Sequence, residues 1–546
     1  MTSIPWYHKT TIYQIYPRSF YDSNGDGIGD LQGILQKLDT LHELGFETLW
    51  ISPFFTSPQA DFGYDISNYT DIAPEYGTMS DALQLIAETH KRGMRVIFDL
   101  VMNHTSEEHP WFRESRSSRD NPKADWYIWK DPLPSPFRRG VRGEVPNNWL
   151  SVTGGSGWHY APERRQYFWS SFLPFQPDLN YRNPEVKQTM LDIARFWLNK
   201  GVDGFRLDIF NYTYKDTRFR NNPFSYKLLP SDDDYSGFFQ EAKYNVNLPG
   251  SFEFAREFRN TCNEFGERLS VGEVTGERIV IRKFLGDETN NGLTLVFDFG
   301  MLNFKFTAEY FRWLIREMEA HYPSPFMPVY VFSNHDKYRT MYRLGNDLRK
   351  AKLLAMLQLT VRGVPCLYYG EEIGMTDSKF PFATALDPIP HKYTFLPRFL
   401  FNWLGLLINR DEVRTPMQWD GTRNAGFSSA QKTWLPVHKN YKAINVEKES
   451  SEAGSLLNTV RTVLKIRNQE KSLQEGSLEF LEDLPKGILG YARKFDNEKV
   501  FVLLNFSSQE KEFQFGFSEC IFKLSARDET KQKAIRLDGF GGMIIK

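Results

Sequence analysis

Near its start the chain alternates β-prone and helix-spaced segments, and few folds accommodate that rhythm. Ile12-Tyr-Gln-Ile-Tyr16 is a β-rich run stopped by Pro17. Leu31, Ile34, Leu35, Leu38, Leu41 and Leu44 then follow helical spacing, and Gly45 ends the helix. Phe46 to Ser52 reads as a short buried strand, Asp81 to Lys91 as a second helix stopped by Gly93, and Arg95 to Val101 as a third strand. Strand, helix, strand, helix, strand at this pace predicts a parallel α/β architecture. Eight such units make a (β/α)8 TIM barrel, whose chemistry sits where the strands end.

Between Thr105 and Asp178 the rhythm is lost among Pro, Gly, Arg and Trp, as in Pro146-Asn-Asn-Trp149 and Gly154-Gly-Ser-Gly-Trp158. So long a stretch without clear helices reads as a subdomain inserted after the third strand. Helical spacing returns at Asn183 to Asn199, and further strands are predicted at Val202–Ile209, Leu269–Val274, Pro328–Asp336 and Val364–Tyr369. Beyond about residue 472 the runs become short and β-prone, as in Lys499-Val-Phe-Val-Leu-Leu-Asn505, which predicts a C-terminal antiparallel β-sandwich. The expected segments are residues 1–104 and 179–471 for the barrel, 105–178 for the inserted subdomain and 472–546 for the sandwich.

The strand ends carry the chemistry. Side chains alternate along a strand, so Arg206 and Asp208 face the same way, and the cation favours the ionised carboxylate. The pair reads either as a structural ion pair or as a nucleophile kept charged. Glu273 and Asp336 stand at the ends of two other predicted strands. Two carboxyl groups flanking a glycosidic bond are the minimum for glycoside hydrolysis: one attacks the anomeric carbon, the other protonates the leaving oxygen. If they lie close, a covalent glycosyl-enzyme forms and configuration is retained. Glu273 has no cation in its local sequence, so apolar burial is expected to raise its pKa and suit it to the acid role.

A second cluster is Asp22-Ser-Asn-Gly-Asp-Gly-Ile-Gly-Asp30. Asp22, Asn24, Asp26 and Asp30, with the carbonyl of Ile28, offer oxygens suited to structural Ca²⁺ or Mg²⁺, although the twelfth position is Gly33 rather than the Glu of an EF-hand. The other reading is an Asp/Gly-rich turn without metal. No organic cofactor is expected.

Composition narrows the function classes. The 546 residues are 41 % hydrophobic and 25 % charged with a net charge of −1, which leaves no basic footprint for nucleic acid. Three scattered cysteines, Cys262, Cys366 and Cys520, predict free thiols in a reducing compartment. With no signal-peptide pattern and no apolar run near the roughly 20 residues of a membrane span, a cytoplasmic monomer is expected. Phe380 to Asn409 is unusually apolar and Pro-rich, fitting either ordinary packing or a partner or membrane patch. His8, His42 and His90 belong to no motif.

Several separated motifs closely resemble the alpha-amylase family of glycoside hydrolases, in its oligo-1,6-glucosidase and alpha-glucosidase branch. They are Asp99-Leu-Val-Met-Asn-His104, Gln176-Pro-Asp-Leu-Asn180, Gly204-Phe-Arg-Leu-Asp208, Gly272-Glu-Val274, Phe332-Ser-Asn-His-Asp336, Arg414-Thr-Pro-Met-Gln-Trp-Asp420 and Asn424-Ala-Gly-Phe427. The resemblance implies Asp208 as nucleophile, Glu273 as general acid/base and Asp336 as transition-state stabiliser. It implies that His104, Arg206 and His335 bind the terminal glucose and that Asp65 and Arg410 close its pocket, making the enzyme exo-acting on short α-glucosides. The loop from Asp22 to Asp30 matches the branch's structural cation site.

Two departures bear on specificity. Lys337 and Tyr338 follow Asp336 where the branch usually has Gln-Pro, on the leaving-group side. Ile209 follows the nucleophile, and a branched aliphatic there resembles the α-1,6-acting members rather than the α-1,4-acting maltases with Thr or Ala. The alternatives are an α-1,4-glucosidase, a sucrose- or trehalose-type transglycosylase or isomerase, and a non-enzymatic ancillary subunit of an amino-acid transporter. The last predicts an N-terminal membrane helix and damaged catalytic positions, neither of which this sequence shows.

Overall fold

The computed structural model describes residues 4–134, 144–229, 236–529 and 534–546. The chain forms two compact units, Met1–Trp50 with Gln84–Val96 and Met301–Lys546, and Ile51–Leu83 with Ile97–Gly300. Eight parallel strands make up the barrel sheet: β1 (Ile12–Ile15), β2 (Thr48–Ile51), β3 (Arg95–Val101), β4 (Gly204–Asp208), β5 (Leu269–Glu273), β6 (Leu295–Phe297), β7 (Val329–Val331) and β8 (Val364–Tyr368). The second unit supplies the run β6-β5-β4-β3 and the first the run β2-β1-β8-β7, the strand sequence of a (β/α)8 barrel.

In the first unit, the helix Leu31–Leu44 starts where Asp30 accepts the Gly33 amide at 2.6 Å and stops at Gly45 in the left-handed conformation. Its predicted stripe is buried at Leu31, Ile34, Leu38, Leu41 and Leu44. Near the C-terminus, Ser477–Phe480, Ile488–Phe495, Glu498–Asn505, Lys511–Gln514, Cys520–Glu529 and Ala534–Ile545 build a six-stranded antiparallel assembly. It closes over Ile488, Leu503, Ile535, Leu537, Met543 and Ile545. In the 380–409 stretch, Phe401 is buried against Phe382 and Tyr393, whereas Phe395, Phe399 and Trp403 stand in solvent.

The second unit holds the inserted segment. Trp129–Lys130, Gln166–Trp169 and Trp158–Ala161 form a three-stranded antiparallel sheet over Ile128, Trp149, Trp158, Tyr167 and Trp169. The expectation of no clear helix in this segment is corrected by Pro110–Ser117. Pro110 sits at the first helical position, and the His109 ring nitrogen caps the Trp111 amide. Burial pushes the pKa of His109 down to about 3, so the ring stays neutral and accepts. Residues 135–143 of the segment lie outside the described residues.

Two strands differ from the sequence reading. β6 is absent from it because three buried residues carry no usable period. The strand predicted to reach Asp336 ends at Val331, which leaves His335 and Asp336 in the loop that follows. Among the described residues no helix is long and apolar enough to cross a membrane.

Candidate active site

β4 is pressed against β5 so tightly that a Cβ on Gly204 would lie 1.9 Å from the Leu269 carbonyl oxygen, a close approach only glycine permits. Ladder register sets Asp99 of β3 opposite Arg206 of β4. Arg206 is fully buried, and its Nη1 donates to both oxygens of Asp99, at 2.8 and 2.9 Å, and to Asp208 at 2.7 Å. Its Nη2 donates to Glu273. Burial opposes the charge on this guanidinium, but Asp99 and its other neighbours outweigh burial and keep it protonated. The Tyr64 hydroxyl donates to Asp99 at 3.2 Å.

One guanidinium therefore engages three carboxylates from three successive strands. The shared face of Arg206 and Asp208 is as predicted. Glu273 has no cation in its local sequence, and its guanidinium partner comes from the neighbouring strand, 67 residues earlier in the chain.

The nucleophile candidate is followed by an unusual backbone. Ile209 has φ 36° and ψ 45°, the left-handed region that β-branched residues avoid, and opens the short turn Phe210–Tyr212. Its side chain packs with Tyr212, Val246 and Phe172. Lys215 gathers the loops around this turn: buried, it donates to Asn103 at 2.9 Å, to Asp178 and to the Tyr212 carbonyl. His104 is buried, with Nε2 donating to the Tyr64 carbonyl at 3.1 Å. Asp65 is wholly buried and accepts from Ser57 and from the amides of Ala60 and Asp61. Burial lifts its pKa to about 6.

In the first unit Asp336 has its own set of cations. Arg414 Nη2 lies 2.6 Å and Arg410 Nη1 3.5 Å from Oδ1, and His335 Nε2 lies 3.2 Å from Oδ2. Burial alone would raise this carboxyl; His335, Arg414 and Arg410 instead hold it far below the usual carboxylate range. Gln14 Nε2 lies 2.8 Å from His335 Nδ1, on the side of the ring away from Asp336. The ring stacks on Tyr16 and meets the edge of Trp50. Arg410 is clamped at Nε and Nη2 by the two oxygens of Asp387, at 3.0 and 2.9 Å. Lys337 and Tyr338 directly follow Asp336, and the Tyr338 hydroxyl donates to the Leu406 carbonyl.

The profile of the alpha-amylase catalytic domain matches residues 14–476. The chain belongs to the alpha-amylase family. This family member is 41 % identical over 518 residues to a probable alpha-glucosidase of Rhizobium meliloti (strain 1021), covering 92 % of this chain and 90 % of the relative. It is 37 % identical to the oligo-1,6-glucosidase of Parageobacillus thermoglucosidasius, over 93 % of this chain and 92 % of that one. Among solved structures, the alpha-glucosyl transfer enzyme XgtA superposes with a TM-score of 0.88 at 36 % identity, covering 100 % of both chains.

The alpha-amylase family member also uses residues that local reading did not assign. Asp99, Tyr64, Lys215, Asp387 and Arg414 meet partners 23 to 142 residues away. Arg414 and Asp99 stand inside the motifs Arg414–Asp420 and Asp99–His104, where a charged residue with no local partner is the signal of a distant one.

In the Asp22–Asp30 loop the donors are oxygens throughout, which suits a hard cation. Asp22 accepts from Asn24, Gly25 and Gly27 amides and from Ser428, while Asn24 and Asp26 accept amides two residues on. Asp30 accepts from Ser23 and caps the following helix. Among the described residues no three His, Cys, Asp or Glu side chains are grouped as a metal would require.

Proposed function

We propose that this enzyme is a retaining, exo-acting alpha-glucosidase that releases terminal non-reducing glucose from short α-glucosides, with a preference for α-1,6 bonds. The observation that carries the reading is the fork of Arg206, which engages Asp208 and Glu273 at once. Retaining glycosidases use two carboxyl groups about 5–5.5 Å apart, one as nucleophile and one as acid/base. Asp208 is assigned as nucleophile: Arg206 holds its carboxylate charged and aimed, and attack on the anomeric carbon forms a glycosyl ester. Glu273 is assigned as the acid that protonates the leaving oxygen and then, as base, activates water. Three carboxylates around one guanidinium carry excess negative charge, which a proton on the acid/base member relieves. Asp336, kept ionised by Arg414, is assigned to stabilise the positive charge of the oxocarbenium-like transition state. His104, Arg206 and His335 are assigned to the terminal glucose, with Asp65 and Arg410 closing its pocket.

A second reading is supported by the match to a glucosyl transfer enzyme. In that reading a sugar hydroxyl, rather than water, intercepts the glycosyl ester. One panel separates the two: isomaltose, maltose, sucrose, trehalose and trehalose 6-phosphate, with products followed by NMR from the first turnover. The main reading expects α-glucose as the first hexose released and isomaltose cleaved faster than maltose. First-formed β-glucose overturns retention; new disaccharides in place of glucose favour transfer.

We also infer that the Asp22–Asp30 loop takes Ca²⁺ or Mg²⁺ in a structural role through Asp22, Asn24, Asp26, the Ile28 carbonyl and Asp30. A cytoplasmic monomer is further proposed, supported by three free thiols, of which Cys262 and Cys366 are buried.

A further inference from the structure

The second unit contains a cavity of about 370 Å³ lined by residues between Ala124 and Phe219, to which Arg206, Asp208 and Glu273 contribute nothing. Six charged side chains line it: Lys130, Arg164, Arg182, Lys215, Asp125 and Asp216. Two of them are neutralised within the protein. Lys215 is bound to Asp178, and Asp216 is held by Arg220 at 2.8 Å. That leaves three cations against Asp125.

The three remaining cations make their hydrogen bonds and ring contacts to neutral groups, and Asp120, Asp125 and Asp131 act on Arg164 only from beyond contact distance. Arg164, though just 6 % exposed, donates to the carbonyls of Ser115 and Ala124 and to Gln166. Arg182 donates to the Lys215 carbonyl, and Lys130 lies 4.1 Å over the ring of Phe219. Among the described residues none of the three pairs with a carboxylate. A buried guanidinium with no carboxylate in contact is costly, and burial lowers the Arg164 pKa to about 10 despite the opposing pull of Asp120, Asp125 and Asp131. Arg182 and Arg164 also lie over Tyr214 and Trp129, whose rings line the same space. The cavity wall thus carries an excess of positive charge, Lys130, Arg164 and Arg182 against Asp125, beside aromatic walls, the reverse of the acid-rich surroundings of Arg206.

We propose that this cavity is a binding site for a phosphate-sized oxyanion, taken up as inorganic phosphate or as the phosphate of a phosphorylated sugar. Guanidinium groups match phosphate oxygens in geometry and charge. The volume suffices for the anion together with one sugar ring, at the lower end of small-molecule pockets. Because Lys215 and Arg182 join the cavity wall to the loops that carry Asn103 and Asp178, occupancy is expected to stiffen those loops.

The test is isothermal titration of the full-length enzyme with inorganic phosphate and with glucose 6-phosphate, at constant ionic strength and in saturating glucose to occupy the proposed active site. Saturable binding of at least one is expected, and the tighter of the two identifies the source. The Lys130→Ala/Arg182→Gln double variant should weaken it about tenfold or more while hydrolysis of isomaltose in phosphate-free buffer is retained. Should the double variant fail to fold, Lys130→Ala alone is expected to weaken binding severalfold. No saturable binding to the wild type, or unchanged affinity in a folded variant, overturns the site.

Discussion

Arg414 holds Asp336 from two directions. Its Nη2 lies 2.6 Å from the carboxylate, and its Nε donates at 2.9 Å to the carbonyl of the preceding His335. A fully buried guanidinium thereby fixes both the charge of the acid and the backbone that presents it. Lysine keeps the charge but lacks the planar fork, so it cannot make both bonds.

Arg414→Lys should therefore lower kcat about tenfold to a hundredfold, with a smaller change in KM, on the scale of losing one preorganised electrostatic contact. The pH profile gives a separate sign. Asp336 is depressed in the folded state, so its ionised form contributes stability above the unfolded carboxylate pKa of about 3.9, and that contribution is lost as pH falls through the folded value. Weakening Arg414 raises Asp336, and the acid limb of kcat/KM should move to higher pH. An unmoved limb in a folded variant contradicts the role.

Asp208→Asn preserves shape and removes the nucleophile. Turnover should fall by about 10⁴-fold or more, the scale seen when a nucleophile is deleted. Glucose binding, followed by calorimetry, should survive. Activity near wild type would sink the assignment.

Ile209→Thr changes the side chain packed against Tyr212 and Val246. The ratio of kcat/KM for isomaltose over maltose should drop about fivefold or more, a change of ~1 kcal/mol. If the ratio holds, linkage is set elsewhere.

Asp65 carries the opposite pH sign to Asp336. Its folded pKa, raised to about 6 by burial, means its stabilising contribution is complete below about pH 4 and is lost as pH rises through 6. The loss amounts to ~3 kcal/mol at most. Asp65→Asn should gain stability relative to wild type between pH 4 and 7, measured by urea denaturation. Parallel stability curves for the two proteins would show that Asp65 is not held neutral.

Chelation tests the Asp22–Asp30 loop. EDTA should lower Tm by several degrees, and added Ca²⁺ or Mg²⁺ should restore it, with kcat at low temperature little changed. An unaltered Tm, in wild type and in Asp26→Ala alike, would mean that the loop closes on its own amides.

Read alone, the sequence determined the barrel class, the stripe of the Leu31–Leu44 helix, the antiparallel C-terminal domain and the shared face of Arg206 and Asp208. Each follows from periodicity or local spacing, which act over a few residues. It did not reach β6 or the Pro110 helix: three buried residues have no period, and a ring nitrogen serving as a cap is not a common start signal. Partners were decided by tertiary structure alone. Glu273 meets its cation from the neighbouring strand, Arg410 is clamped by Asp387, and Arg164 spends its hydrogen bonds on the carbonyls of Ser115 and Ala124. Charge acts through space between residues far apart in the chain, so a linear reading can name the ionisable groups, while only the folded chain says which of them neutralise one another.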